Sequence, residues 1–179
     1  YNNQETREVL NYSLNKKEKN NCVIRLSIGS MPNLSPTFVK NYKFSLGKGA
    51  ELTEGRDAIL FTYGQTMITE SSKAAKILKK KKVTLSVINL PCLNYFDKSW
   101  FNKKIEKFRN IFILDDHNIN GGLGDMLTSF LAENDLIGNK NLKKFGFKDY
   151  PACGTYEEVL NYHKLDYKNL ASQIIEIIK

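Results

Sequence analysis

Short runs of apolar residues alternate along most of the chain with longer segments in which apolar residues recur every three or four positions. The short runs predict five β-strands, at residues 48–53, 58–63, 83–90, 111–114 and 142–147. The second run, Ala-Ile-Leu-Phe-Thr-Tyr, is nearly continuous, which is typical of a strand that is buried on both faces. Such strands, alternating with helices, predict an α/β fold with a mainly parallel sheet that helices cover on both sides.

The helical segments carry recognisable start signals. Helices are predicted around residues 67–78, 97–108 and 122–133, in a short segment from residue 155, and over residues 166–178. Asp97 and Asp166 are expected as N-caps, because a side-chain oxygen there can accept a hydrogen bond from a free amide of the first turn. Thr155 and Glu158 have the spacing of a capping box.

The first 44 residues carry a different pattern. Residues 4–30 predict one helix followed by one strand at Cys22–Leu26, and residues 31–44, with Pro32 and Pro36 and no period, predict a linker. One helix and one strand cannot enclose a core of their own. We therefore expect them either to dock on the rest of the chain or to belong to a domain whose remainder is missing.

The most distinctive local sequence runs from Asp115 to Asp125 and contains Gly121, Gly122 and Gly124. It follows a predicted buried strand and opens a helix, which is where open α/β sheets bind ligands. Such a helix N-terminus could hold a phosphate or a carboxylate. The alternative, which the pattern favours, is that the negative charge of Asp125 already interacts with the positive end of the helix dipole and that the glycines permit close packing. The spacing of the glycines is not the dinucleotide-binding G-x-G-x-x-G.

The two histidines lie in different settings. His117 is at the carboxyl end of a predicted strand beside two aspartates, where it could transfer a proton or bind substrate. The alternative is an ordinary hydrogen-bonded turn residue. His163 falls in a helix tail, where we expect an exposed and uninformative side chain. With two histidines and three cysteines that lack paired spacing, we expect no transition-metal site.

The formal net charge of +8 is concentrated in one segment of the chain. Residues 73–109 hold eleven basic and two acidic residues, a net charge of +9. Lys79–Lys82 fall where a predicted helix ends, which the helix dipole favours, and four lysines between residues 98 and 107 interleave with apolar positions of the next helix. We interpret both as solvated helix faces. The alternative is a non-catalytic module that binds a protein partner through this lysine-rich face.

Length and composition exclude several classes of protein. The 179 residues allow one domain, with room for part of a second. No run approaches the roughly 20 apolar residues of a membrane span, and no secretory signal is visible.

The aromatic residues near the lysines are expected in the core, so nucleic-acid binding is not expected. The odd number of cysteines fits reduced thiols in the cytoplasm. Because residue 1 is Tyr, we expect a trimmed chain or a piece of a longer one.

Several motifs, read in order, resemble the C-terminal section of transketolase and its relatives, among them deoxyxylulose-phosphate synthase and the beta subunits of 2-oxoacid dehydrogenases. The segment from Asp115 to Gly124 resembles the family's acidic-His-Asn-x-x-Gly-Gly-x-Gly sequence and is the most specific match. The other matches are Gly47–Ala50, Gly55–Asp57, Ala58–Gly64, Ser72–Leu78, Val87–Leu93, Phe96-Asp97, Phe147, Gly154-Thr155 and Leu165-Asp166. The resemblance covers residues 45–179 and, more loosely, residues 4–30.

The resemblance implies a three-layer α/β/α sandwich over residues 45–179, preceded by a remnant of a pyrimidine-binding domain at residues 1–30. It implies part of a dimeric enzyme that transfers a two-carbon ketol unit between sugars with thiamine diphosphate and magnesium. The family binds this cofactor mainly with its other domains, so we expect neither cofactor nor catalytic residues in this chain alone. The expected partners are those other domains or a separate subunit, with a small sugar or 2-oxoacid as substrate.

By the same resemblance, Arg25, His117 and Asn118 are the residues expected nearest the substrate. Many relatives carry two arginines three positions apart at the end of the preceding domain, where a sugar phosphate is held. Arg25 matches the first, but Ile28 stands at the position of the second. Isoleucine cannot supply a bidentate grip on phosphate, so the resemblance leaves room for an unphosphorylated or differently anchored substrate.

Overall fold

A computed structural model of the chain describes residues 2–16, 21–26 and 42–179. Within these ranges it contains five strands: β1 (Ala50–Thr53), β2 (Ala58–Thr62), β3 (Leu85–Asn89), β4 (Asn110–Asn118) and β5 (Asn141–Phe147). The same ranges contain six helices: α1 (Asn3–Asn15), α2 (Gln65–Lys80), α3 (Lys98–Ile105), α4 (Leu123–Glu133), α5 (Tyr156–Tyr162) and α6 (Tyr167–Ile178).

The five strands form one sheet in the order β1-β3-β2-β4-β5. Strand β1 pairs antiparallel with β3, whereas β3, β2, β4 and β5 are parallel to one another. The prediction of a mainly parallel, five-stranded sheet is therefore confirmed.

The alternation of side chains along β2 creates a core on each face of the sheet. Ala58 and Leu60 point into a core that α2 and α6 cover, whereas Ile59 and Phe61 point into a core that α3 and α4 cover. All four side chains are fully buried. Helices thus lie on both faces, which confirms the three-layer α/β/α arrangement.

The predicted helix caps form. The Asp97 side chain accepts a hydrogen bond from the backbone amide of Trp100 at 2.8 Å. Thr155 and Glu158 form a reciprocal capping box at the start of α5, and the Asp166 side chain accepts from the first amides of α6. Each bond satisfies a backbone donor that the first helical turn leaves free.

Strand β4 is longer than its apolar run. The pattern predicted a strand at residues 111–114, but pairing with β5 resumes at Asn118, which lies opposite Phe147. The Ile119 amide then donates to the Phe147 carbonyl at 2.8 Å. Because pairing resumes at Asn118 after an irregularity, the polar residues that follow Leu114 end the strand instead of forming a turn.

Helix α1 docks on the carboxyl end of β3 and on the chain around Tyr42. The Glu5 carboxylate is buried and accepts hydrogen bonds from the Asn89 side-chain amide at 2.5 Å and from the Tyr42 hydroxyl at 3.1 Å. The Gln4 side chain donates to the Tyr42 carbonyl at 3.2 Å. Of the two alternatives that the sequence left open for the first helix, docking on the rest of the chain is therefore observed.

The strand predicted at Cys22–Leu26 does not form, because residues 21–26 have no strand pairing. Val23 is 97% exposed, and a strand needs a neighbouring strand to bond its backbone. Among the described segments, none pairs with these residues. Ile28 and the predicted linker up to residue 41 lie outside the described residues.

The lysine-rich segment is mostly solvated. Lys79–Lys82 are exposed at the end of α2, as predicted. Lys104 is different, because its ammonium group donates to Glu51 at 2.6 Å and the pair is half-buried between α3 and β1. Trp100, expected in the core, is only half-buried.

None of the helices in the described ranges has the length and apolar character that a bilayer span requires.

Candidate functional site

The strand order reverses at β2, since β3 lies on one side of it and β4 on the other. In open α/β sheets, ligands bind in the crevice at the carboxyl ends of the strands beside such a reversal. Here Tyr63 and Gly64 follow β2, and Asp115–Asn118 end β4. The Tyr63 hydroxyl donates to Asp115 Oδ1 at 3.4 Å, so a side-chain contact joins the two strand ends.

The Asp115 carboxylate occupies the N-terminus of α4. Its Oδ1 accepts the Leu123 amide at 2.7 Å and its Oδ2 accepts the Gly124 amide at 2.8 Å. A Cβ on Gly122 would lie 2.4 Å from Asp115 Oδ1, and one on Gly124 would lie 2.9 Å from Oδ2. The glycines are therefore needed for the carboxylate to reach the helix. An external phosphate or carboxylate would have to displace Asp115.

Asp125 lies in the first turn of α4, as the sequence suggested, where an acidic side chain is favoured by the helix dipole, and it also bonds to groups outside the helix. It accepts a hydrogen bond from the Gly121 amide at 2.6 Å and pairs with Lys144 of β5. The hydrogen bond from Lys144, followed by the one from Gly121, lowers the pKa of Asp125. Asp125 thus ties the turn before α4 to the neighbouring strand, while Asp115 faces the amides of the helix itself.

Asp116 projects toward the end of β2. A Cβ placed on Gly64, whose φ is +73°, would lie 3.4 Å from Asp116 Oδ2. Burial raises the pKa of Asp116 above the ordinary aspartate range, and the charges of Arg25 and His117 oppose this rise. Arg25 is exposed, and its charge also acts on Tyr63. Arg25 and His117, both singled out from the sequence, therefore act electrostatically on the same carboxyl group.

A cavity of about 310 Å³ opens at the ends of β4 and β5. It is lined by Asp116, His117, Asn118, Phe147, Asp149 and Pro151. Within it His117 is exposed, and the half-buried Asn118 accepts a hydrogen bond from the Asn120 amide at 2.9 Å.

The remaining cavity residues on β5 and on the loop after it, Phe147, Asp149 and Pro151, were not singled out from the sequence as site residues. They are distant along the chain from His117, and of them only Phe147 belongs to a motif match, which carried no site role. The signal that could have found them is topological, because the carboxyl ends of adjacent parallel strands meet at one edge of a sheet.

The crevice supplies hydrogen-bond donors and acceptors. Burial, together with the charges of Asp115 and Asp116, raises the pKa of Tyr63 to about 12, so its hydroxyl keeps the proton that it donates to Asp115 and can accept a hydrogen bond from a ligand. Arg25 adds a cation, and Asp116 and Asn118 add acceptor oxygens. Such a set can bind and orient a small polyhydroxylated or anionic molecule.

Thiamine diphosphate and magnesium, which the resemblance implies for the whole enzyme, do not fit the described residues of this chain. Magnesium at a diphosphate needs oxygen ligands arranged in an octahedron. The described residues contain no group of three or more His, Cys, Asp or Glu side chains that could hold a metal ion. The amides at the start of α4 are already bonded to Asp115.

A family model described as the transketolase C-terminal domain matches residues 47–170. The chain belongs to this family. It is 31% identical to a transketolase C-terminal section of Methanocaldococcus jannaschii over 137 residues, which cover 76% of this chain and 42% of that protein. It is 25% identical to the B subunit of the apulose-4-phosphate transketolase of Actinobacillus succinogenes over 175 residues, which cover 97% of this chain and 54% of that one.

Solved structures share the fold of this transketolase C-terminal domain. One, described as the inactive beta4 tetramer of a split-gene transketolase, has a TM-score of 0.70 with 21% identity and covers 80% of this chain and 46% of that chain. At this identity the likeness shows the fold alone. The chain spans about half the length of these relatives or less. The resemblance to the C-terminal section of transketolase is confirmed.

Proposed function

We propose that this chain is the C-terminal part of a transketolase-type enzyme that transfers a two-carbon ketol unit between sugars. The enzyme depends on thiamine diphosphate and magnesium and works as a homodimer in the cytoplasm. The family match over residues 47–170 carries the proposal. Relatives described as a C-terminal section and as a B subunit support a chain of this kind that works with a second polypeptide. Three free cysteines suit a reducing compartment.

Thiamine diphosphate supplies the carbanion chemistry of ketol transfer when it is bound to the whole enzyme. The contribution of this chain is to bind and orient substrate at the carboxyl edge of the sheet. The Arg25 guanidinium attracts an anionic group of the substrate, while Asp116 and Asn118 accept hydrogen bonds from its hydroxyls. His117, exposed at the end of β4, offers ring nitrogens that can donate or accept a hydrogen bond. The isolated chain is inactive.

Residues 1–30 form the end of the preceding domain in this proposal. The bond from Asn89 to the buried Glu5 carboxylate, at 2.5 Å, supports a fixed orientation of α1 on the end of β3. Arg25 lies in the segment that follows, and its charge acts on Asp116. In this proposal the buried contact between Glu5 and Asn89 fixes the end of the preceding domain, and this keeps Arg25 at the substrate side of the crevice.

The proposal is tested in the assembled enzyme with Arg25→Gln. Loss of a charge-assisted hydrogen bond, about 1.5–3 kcal/mol, should raise the KM for xylulose 5-phosphate by roughly 10- to 100-fold. The KM for unphosphorylated xylulose should change much less, because that sugar has no anion for the guanidinium. Lys80→Gln, an exposed position at the end of α2, is the matched control and should leave both values unchanged. An Arg25→Gln enzyme with an unchanged KM for the phosphorylated sugar would contradict this role.

A further inference from the structure

His163 follows α5 and holds the loop that forms one wall of the cavity. Its Nε2 accepts a hydrogen bond from the Ala152 backbone amide at 3.1 Å. Its ring packs edge-on against the rings of Phe147 and Tyr162, with centroid distances of 4.7 and 5.0 Å. The expectation of an exposed, uninformative side chain was wrong, because His163 is half-buried by these contacts.

The loop at residues 148–154 joins β5 to α5 and places Asp149 and Pro151 in the cavity wall. At one end it continues from the sheet, and at the other it meets the capping box of α5. Between these ends, within the described part of the chain, the bond from Ala152 to His163 is the hydrogen bond that ties the loop backbone to another element. Between its two ends, the loop backbone is thus held to the rest of the domain through the Nε2 acceptor of His163.

We propose that His163 is a positioning residue for this site. Its imidazole fixes Ala152 and thereby the wall formed by Asp149 and Pro151, while its ring supports Phe147, which also lines the cavity. The role requires an unprotonated Nε2, with the ring proton on Nδ1. The link to substrate rests on the proposed function, since the cavity is taken as part of the substrate side of the enzyme.

Release of the loop would weaken binding and leave the chemical step intact. A loop without its acceptor samples more conformations, and a ligand that needs the ordered wall must restrict them again. The reacting centre of the enzyme is supplied outside this chain, so turnover at saturating substrate should not change. A raised KM with an unchanged kcat is the kinetic signature of such a loss.

Two variants separate the hydrogen bond from the packing. His163→Leu removes the acceptor but keeps an apolar side chain against Phe147, whereas His163→Gln restores an acceptor oxygen near the position of Nε2. In the purified full chain, amide hydrogen exchange at Ala152 should be about tenfold faster in His163→Leu, the factor expected for one ordinary hydrogen bond. It should be close to wild type in His163→Gln. Exchange at Ile113, in the buried part of β4, should be unchanged in both and reports an intact fold.

In the assembled enzyme, His163→Leu should raise the KM for xylulose 5-phosphate several-fold at constant kcat, and His163→Gln should restore most of the loss. Equal exchange at Ala152 in wild type and His163→Leu, or exchange in His163→Gln as fast as in His163→Leu, would overturn the positioning role. Altered exchange with an unchanged KM would overturn the link to substrate. A wild-type complex without ketol transfer would refute the proposed function, while the exchange measurement would still decide the role of His163 in the loop.

Discussion

Gly122 and Asp115 are so close that a Cβ on the glycine would lie 2.4 Å from Asp115 Oδ1. Gly122→Ala should therefore lower the free energy of unfolding by about 1–3 kcal/mol, the usual cost of overpacking. In an Asp115→Ala background the obstructing oxygen is absent, and the same substitution should cost clearly less. Urea unfolding of the wild type, both single variants and the double variant measures this coupling. An equal loss of unfolding free energy from Gly122→Ala in the two backgrounds would contradict the close contact between Gly122 and Asp115.

Asp116→Asn should stabilise the fold at neutral pH. Burial raises the pKa of Asp116 above its ordinary value of 3.8, so the folded chain holds this proton more tightly than the unfolded chain. The resulting stability is complete below the ordinary pKa and is lost as the pH rises through the raised one. The gain from Asp116→Asn, measured by urea unfolding, should thus be largest at neutral pH and disappear as the pH approaches 3.8.

The same Asp116→Asn substitution should lower kcat/KM in the assembled enzyme, because a charged acceptor for substrate hydroxyls is lost. A variant that is less stable than wild type at neutral pH would show that the attraction of Arg25 and His117 outweighs the cost of burial. An unchanged kcat/KM would show that Asp116 does not accept hydrogen bonds from the substrate.

Tyr63 should ionise far above the ordinary tyrosine range. Its pKa is raised from 10.0 to about 12 by burial and by the charges of Asp115 and Asp116. A raised pKa gives stability that is present below pH 10.0 and is lost as the pH rises toward 12. The ultraviolet absorbance titration of wild type minus Tyr63→Phe should show a phenol that titrates near pH 12. Titration of that phenol near its ordinary pKa would contradict a buried hydroxyl beside two carboxylates.

Much of the fold is predictable from local pattern, because each element carries its own signal. The run at Ala58–Thr62 is apolar on both faces and can be satisfied only inside a covered sheet. Asp97 and Asp166 mark helix starts by chemistry that acts within one turn. The segment at Cys22–Leu26 has the composition of a strand but no partner within the described residues, and composition alone does not supply one.

The candidate site was less predictable, because its contacts join residues that are distant along the chain. Asp125 lies in the first turn of α4 as the sequence predicted, but no local pattern shows that Asp115, from the strand before, accepts the hydrogen bonds of the helix amides. His163 bonds Ala152 only because the intervening loop folds back, which no periodicity encodes. Arg25 came from motif resemblance and His117 from its position at a strand end, but only the tertiary structure shows that the charges of both act on Asp116.

Ketol transfer by the reconstituted enzyme tests the central claim most directly. The measurement is product formation from xylulose 5-phosphate and a sugar-phosphate acceptor, with thiamine diphosphate and magnesium, by this chain mixed with the cofactor-binding section from the same organism. We expect each part alone to be inactive and the mixture to transfer a two-carbon unit at a rate that saturates with added chain. Full activity of the cofactor-binding section alone, or no activity in a mixture shown by size-exclusion chromatography to form a complex, would contradict the proposal.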